Sequence, residues 1–282
     1  MARSDSNDPA LKAMLVSAGP LDPAPADDKV ALADRLSMRT IADVFRRADG
    51  RPVRQVTTGN RGWAVGEYVS YKSMLRHPWE SKLERCTDWM DEVDRQVFHT
   101  LAQPHTLVFH WAGRRYVYTP DREIWSERGH LVREVKTERE LADDPNLKRK
   151  LEIVGEIYHA LGCAFQVLTE PKILVEPRLP NAYQIQQRRR LRVTVDDELR
   201  ILDLLDQRQH ASLSAVAARV RDAISGEDIV MALACRRKLH IDLGRELGPG
   251  SVVRVHDPTE PAQPSIAVRR PRPADPAGPR VH

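Results

Sequence analysis

Two short motifs near the middle of the chain combine carboxylates with a lysine. Pro120-Asp121 occurs once in the sequence, and Glu134-Val135-Lys136 follows after a 13-residue step, long enough for a turn and a paired strand. In a strand, Glu134 and Lys136 point to the same face. Two carboxylates on neighbouring strands can hold Mg²⁺, with Mn²⁺ as a substitute, and leave room for water and phosphate. The pattern indicates phosphodiester hydrolysis, in which a cation activates water and a lysine stabilises the transition state.

The Glu-x-Lys pattern alone is weak, because Glu80-Ser81-Lys82 and Glu170-Pro171-Lys172 also match it. The first of these precedes a helix start, and in the second the proline interrupts a strand ladder. Pro-Asp, a gap of hairpin length and Glu-x-Lys on an apolar strand form a more specific combination. The structural alternative for Glu134 and Lys136 is an ion pair on an edge strand.

Glu84 is the third candidate carboxylate. Ser81-Lys82-Leu83-Glu84 is also a capping box, in which Ser81 and Glu84 satisfy backbone donors at a helix start. On these residues alone the capping role is favoured over a catalytic one.

A set of short motifs between about residues 65 and 175 resembles the TnsA-type endonucleases of heteromeric transposases. That family belongs to the PD-(D/E)xK, restriction-endonuclease-like superfamily. The motifs that carry the resemblance, in chain order, are Ser70-Tyr71-Lys72, Arg76-His77, Ser81-x-Leu83-Glu84, Gln103-Pro104, Thr119-Pro120-Asp121, Glu134-Val135-Lys136 and Thr169-Glu170-x-x-Ile173.

The resemblance implies a catalytic set of Glu84, Asp121, Glu134 and Lys136, and a metal site of Glu84, Asp121, Glu134 and Val135. Some family members have Gln at the position of Glu134. The sequence departs from the family after Asp121, where two charged residues, Arg122-Glu123, stand in place of the usual apolar ones. This departure leaves the register of the strand open.

The resemblance also implies partners and a substrate. Members of the family cut the 5′ ends of a mobile element in double-stranded DNA, while a TnsB-like DDE transposase cuts and joins the 3′ ends. A TnsC-like AAA+ ATPase regulates both, with contacts from the C-terminal domain of the nuclease. Without these partners the nuclease is typically quiet. Two alternatives remain: a stand-alone restriction or repair endonuclease of the same fold, and a non-catalytic DNA-binding module.

Composition divides the chain into an α+β domain, 36–180, and a smaller domain, 190–256; the resemblance implies a restriction-endonuclease-like nuclease core for the first, and the element pattern predicts a winged helix for the second. Fourteen of the 15 aromatic residues lie at or before Phe165, so a core after Tyr183 is a separate one. The boundary is placed at Pro177–Asn181, which has two prolines, and the basic stretch after it. The Pro-rich ends, 1–35 and 257–282, are predicted to be disordered.

Apolar periodicity predicts the elements of both domains. In the nuclease domain the order is helix, three strands, helix, strand; in the second domain three short helices precede a hairpin. The predicted segments are a helix at 81–90, strands at 107–111, 115–118 and 131–136, a helix at 147–161, a strand at 164–169, helix stripes around 201–205, 213–220 and 229–233 with Ser225 as a cap, and hairpin runs at 239–243 and 251–255.

Two basic runs are candidate DNA contacts, Arg188-Arg189-Arg190 and Arg236-Arg237-Lys238. The structural alternative, a solvated helix face, is favoured over direct reading of bases. We expect the second domain to serve mainly protein partners.

Composition excludes two classes of protein. The net charge of +4 allows a nucleic-acid partner without requiring one, and three scattered cysteines exclude a disulfide scaffold and argue against structural zinc. The longest apolar run, Ile229–Cys235, is too short to span a bilayer, and the polar start lacks a secretion signal. The sequence therefore predicts a cytoplasmic protein without a membrane partner.

Overall fold

The computed structural model describes residues 42–54, 65–111, 113–220 and 226–257. Within these ranges the chain is a mixture of helices and strands with four separate sheets, which confirms the predicted α+β class. The two predicted disordered ends lie outside the described residues, apart from Asp257.

The described strands are β1 (Ala42–Phe45), β2 (Gly66–Val69), β3 (Arg76–Trp79), β4 (Val97–Ala102), β5 (Thr106–Trp111), β6 (Arg114–Tyr118), β7 (Arg122–Ser126), β8 (Gly129–Val135), β9 (Ala164–Leu168), β10 (Ala211–Ser212), β11 (Leu239–Ile241) and β12 (Val252–Val255). The described helices are α1 (Lys82–Val93), α2 (Glu138–Asp143), α3 (Pro145–Ala160), α4 (Glu170–Ile173), α5 (Arg178–Gln186), α6 (Val195–Arg208), α7 (Leu213–Ala217) and α8 (Gly226–Cys235).

The largest sheet has the order β4-β7-β8-β9. Its first three strands are antiparallel, whereas β9 runs parallel to β8 and is reached through α2 and α3. A parallel pair needs such a crossover, because a tight turn can only reverse the chain. From α1 to β9 the chain order is one helix, five strands, two helices and one strand, whereas the sequence predicted helix, three strands, helix, strand.

Two of the strands in this sheet differ from the predicted ones. The predicted hairpin at 107–111 and 115–118 exists as β5 and β6, but it belongs to a separate sheet with the order β1-β5-β6. The prediction missed β7, which lies beside β8, and β4, which pairs with the other edge of β7. The sequence of β7, Arg-Glu-Ile-Trp-Ser, begins with two charged residues and so lacks a recognisable apolar pattern.

The two helices that pack on this sheet begin where the sequence predicts. Ser81 caps α1, and its side chain accepts a hydrogen bond from the Glu84 N–H. Asp144 caps α3, which has proline at its first position, and Gly162 follows the helix with a positive φ of 77°. The α3 stripe of Leu151, Val154 and Ile157 is fully buried against the sheet.

The C-terminal region contains three helices and a small sheet. Helices α6, α7 and α8 match the predicted stripes, and β11 pairs antiparallel with β12 as the predicted hairpin. The short strand β10 pairs with the other edge of β12. Ser225, the predicted cap of α8, lies outside the described residues.

The apolar core of this region extends beyond the predicted start at residue 190. It includes Ala182 and Ile185 of α5 and Val93 at the end of α1. Pro177–Asn181, predicted to mark the boundary, leads into and begins α5. Pro180 is accommodated there because backbone N–H groups in the first turn of a helix have no intrahelical partner.

Candidate active site

Asp121, Glu134 and Lys136 meet at one end of the four-stranded sheet. Asp121 directly precedes β7, and Glu134 lies near the end of the antiparallel strand β8, where Arg133 is opposite Arg122. Asp121 Oδ2 accepts a 2.7 Å hydrogen bond from the Val135 N–H. The turn and paired strand thus bring the two motifs together, as the 13-residue step predicts.

The Lys136 ammonium lies among three oxygen atoms. Its Nζ is 2.6 Å from Glu134 Oε1, 3.0 Å from the Val135 carbonyl oxygen and 3.9 Å from Asp121 Oδ2. The ion pair of the structural alternative is therefore present, but the edge-strand part of it is wrong, because β8 lies between β7 and β9 and the pair is part of a larger cluster. Burial lowers the pKa of Lys136, but Glu134 and Asp121 outweigh it, so the pKa is raised overall.

Tyr118, at the end of β6, is a member of this site that the sequence analysis missed. Its hydroxyl donates a 2.6 Å hydrogen bond to Glu134 Oε2, so Tyr118 and Lys136 each hold one oxygen of that carboxylate. Burial and the Glu134 carboxylate raise the pKa of Tyr118 well above its usual range. The one available signal was its position three residues before Asp121.

Glu84 faces the same cluster from the first turn of α1. Its carboxylate is buried, and Oε2 accepts a 3.0 Å hydrogen bond from the Glu80 N–H. Ser81 performs the capping, while Glu84 reaches back one residue further than a capping box would place it. Burial raises the pKa of Glu84, opposed by the Glu80 N–H, by Ser81 and by the nearby Arg122.

Excess negative charge marks the cluster. Burial, then the carboxylates of Glu134 and Glu84, raise the pKa of Asp121 well above its usual range, against the effect of Lys136. Three carboxylates therefore lie within electrostatic reach of one another, with one ammonium bonded among them. Like-charged groups in a buried site resist ionisation together, and a further cation would relieve this.

The side chains of this cluster do not form a preformed metal site. Among the described residues, no group of three or more His, Cys, Asp or Glu side chains is arranged to hold a metal ion. The Lys136 ammonium lies among the oxygens instead, bonded to Glu134 and to the Val135 carbonyl and 3.9 Å from Asp121 Oδ2. The oxygen donors are nevertheless of the kind that Mg²⁺ prefers, and their charge fits a divalent cation.

The charged residues after Asp121 are buried on opposite faces of β7. Arg122 donates to Asp88 of α1, which also lies 3.0 Å from His77 Nδ1. Glu123 is bonded by Arg46, after β1, and by His130 Nε2 at 2.6 Å. The Arg46 guanidinium and the histidines outweigh burial and hold the pKa of Glu123 well below its usual range. The register left open by the sequence is thus held by two ionic networks.

Most of the predicted DNA-contact residues have partners within the protein. Arg188 pairs with Asp228, Arg189 lies 4.4 Å from the Tyr68 ring centroid, and Lys238 is 3.1 Å from Glu198.

Of two further members of these runs, Arg236 bonds within the C-terminal region, and Arg237 joins that region to the rest. Arg236 donates to the Leu191 carbonyl, and Arg237 donates to Glu127 and, at 2.7 Å, to the Arg95 carbonyl. Arg190 is exposed.

No family model and no curated protein matches this chain. In the described ranges, none of the helices has both the length and the apolar character needed to cross a membrane.

Proposed function

We propose that this chain is a Mg²⁺-dependent DNA endonuclease of the PD-(D/E)xK type. The observation that carries the proposal is the position of the Lys136 ammonium. It is surrounded by oxygens of Asp121, Glu134 and Val135, three of the four residues predicted as metal ligands. A positive charge already lies in a donor set suited to a divalent cation.

Each residue of the site has its own role in the proposed hydrolysis. Asp121, Glu134 and the Val135 carbonyl would hold Mg²⁺, with Glu84 as a further ligand or an orienting group. When bound there, Mg²⁺ offsets charge on the phosphate and lowers the pKa of the attacking water. Lys136 would orient that water and stabilise the transition state. Tyr118 keeps Glu134 oriented through its 2.6 Å hydrogen bond.

The arrangement of elements supports the same assignment. The part of the fold that we assign to the nuclease core is the four-stranded sheet, with α1 before it and a helical crossover to β9. Helices α6 to α8 with the sheet β10-β12-β11 form the winged-helix part of the proposal. Asp121 and Glu134 lie at the same end of the sheet, which brings the two proposed metal ligands together.

We further propose that the enzyme acts in the cytoplasm and cleaves the 5′ ends of a transposon. Its partners are a TnsB-like transposase and a TnsC-like ATPase, and its C-terminal region serves these proteins more than DNA. The support inside the molecule is that Arg189, Arg236 and Arg237 are engaged in intramolecular contacts, which reduces their capacity for DNA.

The test is cleavage of duplex DNA that carries transposon ends, with Mg²⁺ or Mn²⁺ and both partner proteins. Asp121→Ala is expected to lose 5′-end nicking, whereas Asp143→Ala, an exposed aspartate of α2, keeps it. Nicking by Asp121→Ala at the wild-type rate would contradict the assignment. Efficient cutting by the chain alone would favour a stand-alone nuclease, and DNA binding without cutting under all conditions would favour a non-catalytic module.

A further inference from the structure

One cation beside the site has no role in the mechanism above. Lys150 lies on α3, and its Nζ is 5.4 Å from the centroid of the Tyr118 ring. The hydroxyl of that ring holds Glu134. Lys150 therefore lies on a helix beside the tyrosine that holds Glu134.

The side chain of Lys150 is half-buried and has no ion-pair partner among the described residues. Its neighbour on the same helix, Arg149, pairs with Glu152 at 2.9 Å and lies in solvent. Burial lowers the pKa of Lys150, with Glu134 acting in the opposite direction and Lys136 in the same one. A half-buried ammonium next to an acidic site is costly without an acceptor, because burial removes its water.

The carboxylate that could satisfy Lys150 is already engaged. Glu134 Oε1 is ion-paired with the Lys136 ammonium, and Oε2 accepts a hydrogen bond from the Tyr118 hydroxyl, both at 2.6 Å. The ammonium has three N–H donors, and an aromatic face satisfies it only in part. An anion arriving at the site would find these donors already positioned.

We propose that Lys150 binds a phosphate of the DNA strand that is cut, with the Tyr118 ring as its support. This inference rests on the proposed function and adds a second cation to it. Lys136 lies among the oxygens of the site. Lys150 lies at the edge of the site and contacts a non-bridging phosphate oxygen. Tyr118 then has two positioning tasks, since its hydroxyl orients Glu134 and its ring orients Lys150.

The experiment compares Lys150→Gln and Lys150→Arg with a matched control, Lys148→Gln, which changes an exposed lysine two positions away on α3. Binding of a fluorescein-labelled duplex is measured by anisotropy over a range of salt concentrations, with Ca²⁺ replacing Mg²⁺ so that the DNA stays intact. Single-turnover cleavage with Mg²⁺ and the partners is measured on the same proteins.

Lys150→Gln is expected to weaken DNA affinity on the order of tenfold and to reduce the slope of log affinity against log salt by about 0.9, the value for one phosphate contact. Its cleavage rate is expected to fall on the order of 10²-fold. Lys150→Arg keeps the salt slope because it keeps the charge, and Lys148→Gln behaves as wild type.

The outcomes distinguish a failure of this inference from a failure of the proposed nuclease function on which it rests. If Lys150→Gln binds with the wild-type salt slope and cuts at the wild-type rate while Asp121→Ala is inactive, the role of Lys150 is refuted and the nuclease assignment stands. If the wild-type chain cuts no DNA, the nuclease assignment fails. The salt slope still decides whether Lys150 contacts phosphate, and an unchanged slope refutes that contact.

Discussion

At the scale of single residues, the candidate site is marked by carboxylate oxygens that already have partners within the protein. Glu134 is held on both oxygens by Tyr118 and Lys136, while Asp121 accepts from the Val135 N–H. These contacts orient the carboxylates before a metal arrives. Burial raises the pKa of both Asp121 and Glu84, and the carboxylates of Glu134 and Glu84 raise that of Asp121 further.

Glu84→Gln separates a capping role from a catalytic one. Ser81 carries the cap, and Gln can still accept the hydrogen bond from the Glu80 N–H, so the melting temperature is expected to stay within a few degrees. Cleavage is expected to fall roughly 10²-fold or more if the charge of Glu84 serves the metal. Thermal melting and cleavage are measured on one preparation, and a stable variant with full activity would return Glu84 to a purely structural role.

Asp121→Asn is expected to stabilise the metal-free protein at neutral pH. The pKa of Asp121 is raised in the folded state, whereas an unfolded aspartate ionises near pH 3.9. The contribution of this group to stability is therefore complete below about pH 3.9 and is lost as pH rises through the folded pKa. Asparagine does not titrate, so it avoids this loss.

Melting curves of both proteins between about pH 4 and pH 8, without divalent ions, check this prediction. The gap in Tm should widen with pH, at about 2–4 °C for each kcal/mol. Mg²⁺ should then raise the Tm of the wild type more than that of the variant, because binding to the folded state stabilises it. A variant less stable than wild type at neutral pH would contradict the charge argument.

At the scale of elements, strand β7 is unusual because buried charges fix its register. A slip of one residue would exchange the faces of Arg122 and Glu123. Arg122 would leave Asp88, and Glu123 would leave Arg46 and His130. The register determines where Asp121 stands, so the two networks also position the carboxylate that we propose as a metal ligand.

Arg122→Met tests this arrangement. The substitution leaves Asp88 buried without its guanidinium partner. We therefore expect the free energy of unfolding to fall by roughly 3–5 kcal/mol. Arg128→Met is the control, since Arg128 is exposed and pairs with Asp94 at the surface, a contact worth about 1 kcal/mol at most. Urea unfolding provides both values, and equal losses in the two variants would show that the buried network does not hold the strand.

At the scale of the whole molecule, the two predicted domains share a core. Val93 of α1 packs with Ala182 and Ile185 of α5 against the C-terminal helices. At a separate contact, Arg237 and His256 both bond Glu127, at the turn between β7 and β8. A partner bound to the C-terminal region would thus be connected to the sheet that carries the site.

A chain that ends at residue 190 tests how far the nuclease part stands alone. It keeps every proposed ligand, because none lies beyond Lys136, but it exposes Val93, Ala182 and Ile185. We expect a folded protein with a clearly lower melting temperature, since fully burying one such aliphatic side chain contributes about 1.5–3 kcal/mol. A chain ending at Asp257 keeps all described residues and should melt as the full chain does. Equal melting temperatures for all three would indicate independent domains.

The sequence by itself determined the local elements and the spacing of the two motifs. Helix α1 begins at Ser81, α3 ends before Gly162, and β8 carries Glu134, because caps, glycines and apolar periodicity act within a few residues of the chain. The tertiary structure alone decided which strands lie beside β8 and which side chains surround Glu134. Tyr118 and Lys150 reach the site from another sheet and from a helix, and Arg237 turns inward to Glu127. Such contacts depend on sheet order and on packing between distant segments, which no local pattern in the sequence records.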